Sequence, residues 1–224
     1  MTAVRVAVLG GHGKTGRAVC SALASVGVEA VPLGRADWDD LPSAVAGCGA
    51  AYVIAPNLHP DEPAYVASAL AALTEAGVAR VVYHSVASPY VPAMTHHLGK
   101  AVSEDLVRRS GLDWTILQPG AYLQNLDLTA PVQVPYSLDV PFGFLDLADL
   151  GRAAAVVLTA PEHAGATYEL ATRVATVREL AAEAGVPAHR VDDPGTHPWL
   201  TAMFAYYDAH GLPVGTRVLA SLLR

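Results

Sequence analysis

Three groups of residues in this chain have types and spacings that could do chemistry. The first is the run VAVLGGHGKTGRAV, Val6 to Val19, where Gly10, Gly13 and Gly16 surround His12, Lys14 and Thr15. Glycines so spaced allow a tight turn and a close backbone approach to phosphate oxygens. The second is His96 and Lys100, four residues apart and therefore on one face of a helix. An imidazole titrates near neutrality and can pass a proton. The third comprises residues that each follow a short apolar run: Arg35, Asn57, His84 with Ser85, and Tyr122. Tyr122 stands where a side chain can reach a cleft, whereas a strand-end histidine such as His84 is more commonly bonded to backbone.

The glycine run has two readings. Gly13-Lys14-Thr15 ends like a P-loop, but that motif needs a glycine five residues before Gly13. The position holds Val8, within an apolar run, and no later apolar run ends in an obvious magnesium-binding Asp. The alternative is a dinucleotide turn, which needs a strand, then the glycines, then a helix. Val4 to Leu9 is short, apolar and rich in β-branched residues. From Lys14 onward, Ala18, Val19, Ala22, Leu23 and Val26 recur at helical spacing up to Gly27. The pyrophosphate would then meet the free N–H groups at that helix's start. We expect a dinucleotide.

The elements that must hold these groups alternate. Strands are expected at Val28–Leu33, Ala50–Ala55, Arg80–His84 and Asp113–Leu117. Helices are expected around Pro42–Ala46 and over Asp61–Ala76 and Thr95–Ser110. Alternation joined by short connections predicts an α/β fold with a doubly wound parallel sheet of Rossmann type. In such sheets ligands bind beyond the carboxyl ends of the strands. Ala55 and Pro56, Ser85, and Pro119 with Gly120 thereby join the glycine turn as cleft candidates. After about residue 125 the pattern loosens. Pro131 to Pro141 reads as loop, Asp146–Leu158 and Thr176–Ala184 as helices, and Tyr168–Ala171 as a short strand. Two helical stretches, Trp199–His210 and Val214–Leu223, close the chain. The expected division is a dinucleotide-binding core, 1–125, and a small substrate lobe, 126–224, packed on it as one unit.

Composition limits the partners. Of 224 residues, 52% are hydrophobic and 16% charged, which suits a compact globular protein. A formal charge of -7 and no basic run beyond Arg108-Arg109 argue against nucleic-acid binding. Gly, Pro or charge interrupts every apolar stretch, so no membrane span is expected, nor a secretory leader. Cys20 and Cys48 lack metal-ligand spacing, as do His189, His197 and His210, and no metal is expected. Buried thiols suit a reducing cytoplasm. Partners are expected to be a small-molecule substrate and at most a second copy of the chain. Only Lys14 and Lys100 are lysines among fourteen lysines and arginines. Trp199, Phe204, Tyr206 and Tyr207 read as core or as lid contacts for an apolar substrate. Asp146 and Asp149 read as helix N-terminal charges.

The end of the second strand normally selects the cofactor. An acidic residue there binds ribose hydroxyls and favours NAD, whereas this chain has Arg35, whose guanidinium suits the 2′-phosphate of NADP. Asp37 is the rival, lying along the adenine, and a solvated loop arginine is the plain alternative.

Taken together, GGHGKTGRAV, GVARVVYHSV, HHLGKAVSEDLVRRSGLDWTILQPGAYLQN and FLDLADLGRAAAVVL resemble the NmrA-like branch of the atypical short-chain dehydrogenases/reductases, over Val4 to about Leu180. The resemblance implies a Rossmann fold holding NAD(P) on the glycine turn, with a small C-terminal substrate lobe. It also implies either NADPH-dependent reduction of quinone- or azo-type substrates or cofactor sensing without turnover. A third use of the fold is non-redox cyclisation, dehydration or isomerisation. In the wider superfamily a Tyr-x-x-x-Lys pair does the proton work. Lys100 aligns with the lysine that binds the nicotinamide ribose, and His96 stands in place of the tyrosine. Ser85 matches a substrate-orienting serine, and Tyr122 and Asn125 match the nicotinamide side of the cleft. Gly11-His12 replaces the usual Ala-Thr, Gln118 a frequent arginine, and the strand expected after Arg35 is shortened or missing. The leading expectation is an NADPH-dependent reductase of a small apolar or aromatic carbonyl or quinone, with Tyr122, His96 or a water ordered by Ser85 as proton donor.

Overall fold

The structure, a computed structural model, describes residues 5 to 224; Val4, where the expected first strand began, lies outside them. Strands β1 (Arg5–Leu9), β2 (Glu29–Leu33), β3 (Ala50–Val53), β4 (Arg80–His84) and β5 (Asp113–Pro119) form a parallel sheet in the order β2-β1-β3-β4-β5. Helices α1 (Lys14–Ser25), α2 (Leu41–Val45), α3 (Glu62–Glu75) and α4 (Thr95–Arg108) connect them. This is the doubly wound Rossmann arrangement. The sheet ends at β2, because the chain beyond it winds into a 3-10 turn, Arg35–Asp40, in place of another strand.

Period-two alternation divides the strand side chains between two cores. Val6, Val8, Tyr52, Val82 and Leu117 face α1. Ala7, Leu9, Val53, Tyr83 and Ile116 face α2 and α3. The same alternation sends His84 to one side of the sheet, and Tyr83 and Ser85 to the other.

Sequence beyond residue 125 serves both the sheet and the lobe. After β6 (Ala121–Tyr122), β7 (Val132–Val134) and β8 (Phe142–Leu145), α5 (Leu147–Thr159) returns to lie against α1. Asp146 caps it, accepting from Ala148 N at 2.7 Å. Gly151 permits the contact: a Cβ there would stand 2.6 Å from the Ala18 carbonyl oxygen. Strand β9 (Ala166–Leu170) then pairs with β5 as the sixth strand of the main sheet, so a cut at residue 125 would remove a strand and a helix from the Rossmann layer. The lobe is built from β10 (Arg173–Ala175) on β8 and β6, α6 (Val177–Glu183), β11 (Ala188–Arg190) on β7, and α7 (Pro198–His210). Its core centres on Phe142, Phe144, Leu180 and Tyr207. Helix α8 (Arg217–Leu222) packs against α5 and β9. The stretch expected as loop at Pro131–Pro141 contains β7. At three residues, that strand is too short for alternation to reveal.

Candidate cofactor cleft and active site

Leaving β1, the chain turns at Gly10 with φ +81°, a conformation that glycine adopts without strain. Gly11 N donates to the carbonyls of Val8 and Leu33 at 2.9 and 3.0 Å, tying the turn to the ends of β1 and β2. A Cβ at Gly16 would stand 2.2 Å from the Gly10 carbonyl oxygen, so α1 can start this close to the turn only with glycine there. Gly13 differs. As N-cap of α1 it has an ordinary extended conformation, and a Cβ there would meet only Gly10 O, at 3.3 Å. No side chain caps α1, so its first N–H groups are available to an anion, as a pyrophosphate site requires.

These groups form one wall of a cleft of about 840 Å³, lined by Gly10, His12, Gly13, Lys14, Thr15, Gly16, Arg35, Ala55 and Pro56 among others. The expected turn residues and the end of β3 are therefore brought together. At the far end Trp38, Tyr65 and His59 form an aromatic wall. The Trp38 and Tyr65 rings are 4.2 Å apart and the Tyr65 and His59 rings 5.4 Å. Arg35 is exposed beside this wall and makes no hydrogen bond or ion pair among the described residues. Asp37 is occupied locally, its Oδ2 accepting from Gly34 N at 2.7 Å. His12 lies over Gly34, where a Cβ would come within 2.9 Å of its ring. Lys14 Nζ donates to Asn125 Oδ1 at 3.0 Å, joining the turn to the segment after β6. Arg17, the other cation of this helix, donates to the His12 carbonyl at 2.5 Å.

On the α3/α4 side of the sheet Lys100 and Ser85 are engaged by buried carboxylates. Lys100 is buried, and its Nζ donates to Glu62 Oε1 at 2.7 Å and to the His84 carbonyl at 3.3 Å. Tyr83 Oη donates to the same Glu62 oxygen at 2.7 Å. Ser85 Oγ donates to Glu104 Oε1 at 2.6 Å, and Gln118 Nε2 donates to the same atom at 2.7 Å. Arg108 holds the other Glu104 oxygen at 3.1 Å. Neither Lys100 nor Ser85 lines the cleft. The physical reason is the two buried carboxylates, which require cations and donors around them. Glu62 opens α3 and Glu104 lies mid-α4, and neither stood out in the sequence beyond being an acidic residue in an amphipathic helix.

The α1/α5 side carries a different chain of groups. Tyr52 Oη and His84 Nδ1 are 2.5 Å apart, and His84 Nε2 and Tyr122 Oη are 2.9 Å apart. Burial, with the Lys100 charge adding to it, holds His84 well below the usual imidazole range, so the ring is neutral. Burial pushes the Tyr122 phenol up, so it keeps its proton at neutral pH. Tyr122 is half-buried, beside the Thr15 hydroxyl of the glycine turn. Tyr122 is not itself among the residues that line the cleft; its neighbour Thr15 is. His84 is bonded through both ring nitrogens to phenols, not to backbone. Tyr52 was not foreseen; its signal was a single hydroxyl in an otherwise apolar strand.

The remaining candidates stand apart. His96 is half-buried and stacks on Trp199 of α7, with ring centroids 6.1 Å apart, away from the cleft-lining residues. Pro119 and Gly120 are packed inside, and a Cβ at Gly120 would stand 2.1 Å from the Gly143 carbonyl oxygen. Gly120 serves the junction of β5 with the lobe.

A doubly wound sheet, a capless helix start behind a glycine turn and a cleft across the strand ends define a dinucleotide-binding Rossmann protein. A family model described as NAD(P)H-binding matches residues 21–161, and the chain belongs to that family. It is 29% identical over 164 residues to an NAD(P)H azoreductase of Xenophilus azovorans, a match covering 67% of this chain and 57% of the relative. The chain thus spans little more than half of that relative's length. Among solved structures it is similar to a nucleoside-diphosphate-sugar epimerase of Staphylococcus aureus, at 15% identity and TM-score 0.79, covering 98% of this chain and 95% of the other. It is also similar to an NADPH-dependent quinone oxidoreductase of Escherichia coli complexed with NADPH, at 20% identity and TM-score 0.77, covering 97% and 94%. Both likenesses are of fold. Among the described residues no helix is long and apolar enough to cross a membrane.

Proposed function

We propose that this protein is an NADPH-dependent reductase of a small apolar or aromatic acceptor, of the quinone, azo or carbonyl type. The observation that carries the reading is the Tyr122 phenol, a protonated group beside Thr15 of the glycine turn. A proton donor next to a residue that lines the dinucleotide cleft suits reduction of a C=O or N=N group. The first N–H groups of α1 would hold the pyrophosphate, and the Trp38–Tyr65–His59 wall would hold the adenine. Arg35 would pair with a 2′-phosphate. When bound, the reduced nicotinamide supplies hydride. The relatives' names support the acceptor class, and the lobe after residue 125 would form the substrate side.

Each charge-assisted hydrogen bond from Arg35 contributes about 1.5–3 kcal/mol, roughly ten- to hundredfold in affinity. Fluorescence titration should therefore give a Kd for NADPH at least tenfold below that for NADH, with Arg35→Asp removing the difference. Equal affinities in the native protein would overturn the NADP assignment. Turnover is tested by NADPH oxidation with 1,4-naphthoquinone, methyl red and aromatic aldehydes.

A second reading, a cofactor-binding sensor without turnover, is favoured by the commitment of Lys100 to Glu62 and of Ser85 to Glu104. Tight NADPH binding with no oxidation by any acceptor of the panel would select it.

A further inference from the structure

We propose that Tyr52 and His84 are positioning residues that orient Tyr122, with Tyr52 selecting the His84 tautomer that turns the Tyr122 hydrogen toward the cleft. The argument starts from Tyr52, which is fully buried in the α1/α5 core. Among the described residues its hydroxyl has one hydrogen-bond partner, His84 Nδ1 at 2.5 Å. A phenol has one hydrogen to donate, and a neutral imidazole has one N–H and one lone pair. If Nδ1 carried the hydrogen it would donate to Tyr52 Oη, and the Tyr52 hydrogen would point into hydrocarbon with no acceptor. An unsatisfied buried donor is costly. The Tyr52 hydrogen therefore goes to Nδ1, and the single N–H of the ring is at Nε2.

The consequence passes to the other end of the chain. Nε2–H donates to Tyr122 Oη, 2.9 Å away. That oxygen, now accepting from His84, keeps its own hydrogen for a different partner. Thr15, the other polar neighbour of that oxygen, lines the cleft, so the hydrogen is left for the Thr15 side. The opposite tautomer would draw the Tyr122 hydrogen inward to Nε2 and leave no donor at the cleft. A buried hydroxyl on β3 thus sets the polarity of a group on β6, through a ring on β4.

This deepens the reductase reading and rests on it for its chemical step. In that step the electrophilic atom of the substrate gains hydride from the bound reduced nicotinamide, its double bond to oxygen or nitrogen breaks to a single bond, and that heteroatom takes the Tyr122 proton. The two electrons of that hydride would be supplied by the reduced nicotinamide when bound, which balances the step. The phenolate left on Tyr122 still accepts from His84 Nε2–H, which stabilises it until solvent water at the cleft returns a proton. His84 and Tyr52 give up no proton. This keeps the fully buried Tyr52 from ever carrying a charge.

Two measurements test the inference. Nitrogen-15 spectra of histidine-labelled protein read the tautomer directly and need no substrate. His84 should show a protonated Nε2 and a bare Nδ1 at pH 7, and Tyr52→Phe should bring the other tautomer into the mixture. A protonated Nδ1 in the native protein overturns the proposal. The kinetic arm uses NADPH with 1,4-naphthoquinone and methyl red as probes. Tyr52→Phe should lower kcat about two- to tenfold, and His84→Phe about ten- to hundredfold, the worth of one hydrogen bond to a charged oxygen. The Kd for NADPH should stay the same in both. Native-level kcat in His84→Phe also overturns it. If the native protein oxidises no NADPH with either probe, the reductase reading fails and the chemical step with it, while the nitrogen spectrum still decides the tautomer.

Discussion

An ammonium and a carboxylate buried together, as Lys100 and Glu62 are, each give up hydration and recover it only through contact. Removing one partner strands the other. Lys100→Met should therefore cost about 3–5 kcal/mol of stability, and Lys100→Met combined with Glu62→Gln should recover most of that loss. Urea unfolding checks both, and equal losses in the single and double variants would show that the pair is not responsible. The same pair complicates kinetics, because a slower Lys100→Ala variant would report damaged packing as readily as lost cofactor contact. Tyr122→Phe is the cleaner probe of the proton. It retains the ring and should lower kcat about 10²–10⁴-fold, the usual cost of a missing general acid. Its melting temperature should fall only modestly, by the cost of leaving the buried His84 Nε2–H without its acceptor, about 1–3 kcal/mol. His96→Ala, which removes the ring stacked on Trp199 of α7, should change KM more than kcat.

The glycine turn and helix α1 act as one element in which two glycines do different jobs. Gly16 is needed by the protein itself, because its missing Cβ lets α1 begin against the Gly10 carbonyl. Gly13 faces the cleft with an ordinary backbone conformation. Gly13→Val should thus fold with a near-native melting temperature and lose NADPH binding, since the side chain would enter the anion site. Gly16→Val should lose stability even without cofactor, by several kcal/mol in the manner of severe overpacking. Calorimetry with and without NADPH separates the two. A Gly13→Val protein that still binds NADPH tightly would place the pyrophosphate elsewhere.

For the molecule as a whole, the buried histidines make stability depend on acid. Burial pushes His97 down to about 4 from 6.5, and burial also holds His84 and His96 below their ordinary range. Above pH 6.5 these rings are neutral folded or unfolded, and the full stability is present. As pH falls from 6.5 toward 4, the unfolded chain takes protons that the folded rings refuse. Each strongly shifted ring, His84 and His97, then costs up to about 1.4 kcal/mol per pH unit, and His96 adds in the same direction. For His97, 1% exposed, the loss approaches about 3 kcal/mol by pH 4, of which about 2 kcal/mol falls between pH 6.5 and 5. Urea midpoints at pH 8, 6.5 and 5 should drop across the last interval, and His97→Gln should flatten that drop. A profile level from pH 8 to 5 would show that the histidines ionise at ordinary values.

Local sequence determined the parts of this protein that depend on near neighbours. Apolar period, glycine position and helix stops were enough to place β1 to β5, the turn at Gly10–Gly16 and Arg35 at the end of β2, because each is settled within one strand–loop–helix unit. The cleft lining at Ala55 and Pro56 followed from the general rule about strand ends. Tertiary structure alone decided which polar groups face one another. Lys100 and Ser85 occupy the positions that the family resemblance singles out, yet Glu62 on α3 and Glu104 on α4 claim them, since a carboxylate buried beside the sheet must find its partners in space. Tyr52, His84 and Tyr122 are 32 and 38 residues apart in sequence. Tyr52 and His84 meet because the adjacent parallel strands β3 and β4 place alternate side chains on one face, and Tyr122 joins them from β6 of the smaller sheet; no spacing along the chain records either juxtaposition. The late strands β6 to β11 were similarly hidden, except β9. Segments of two to four residues carry too little alternation, and only pairing with a distant partner makes them strands.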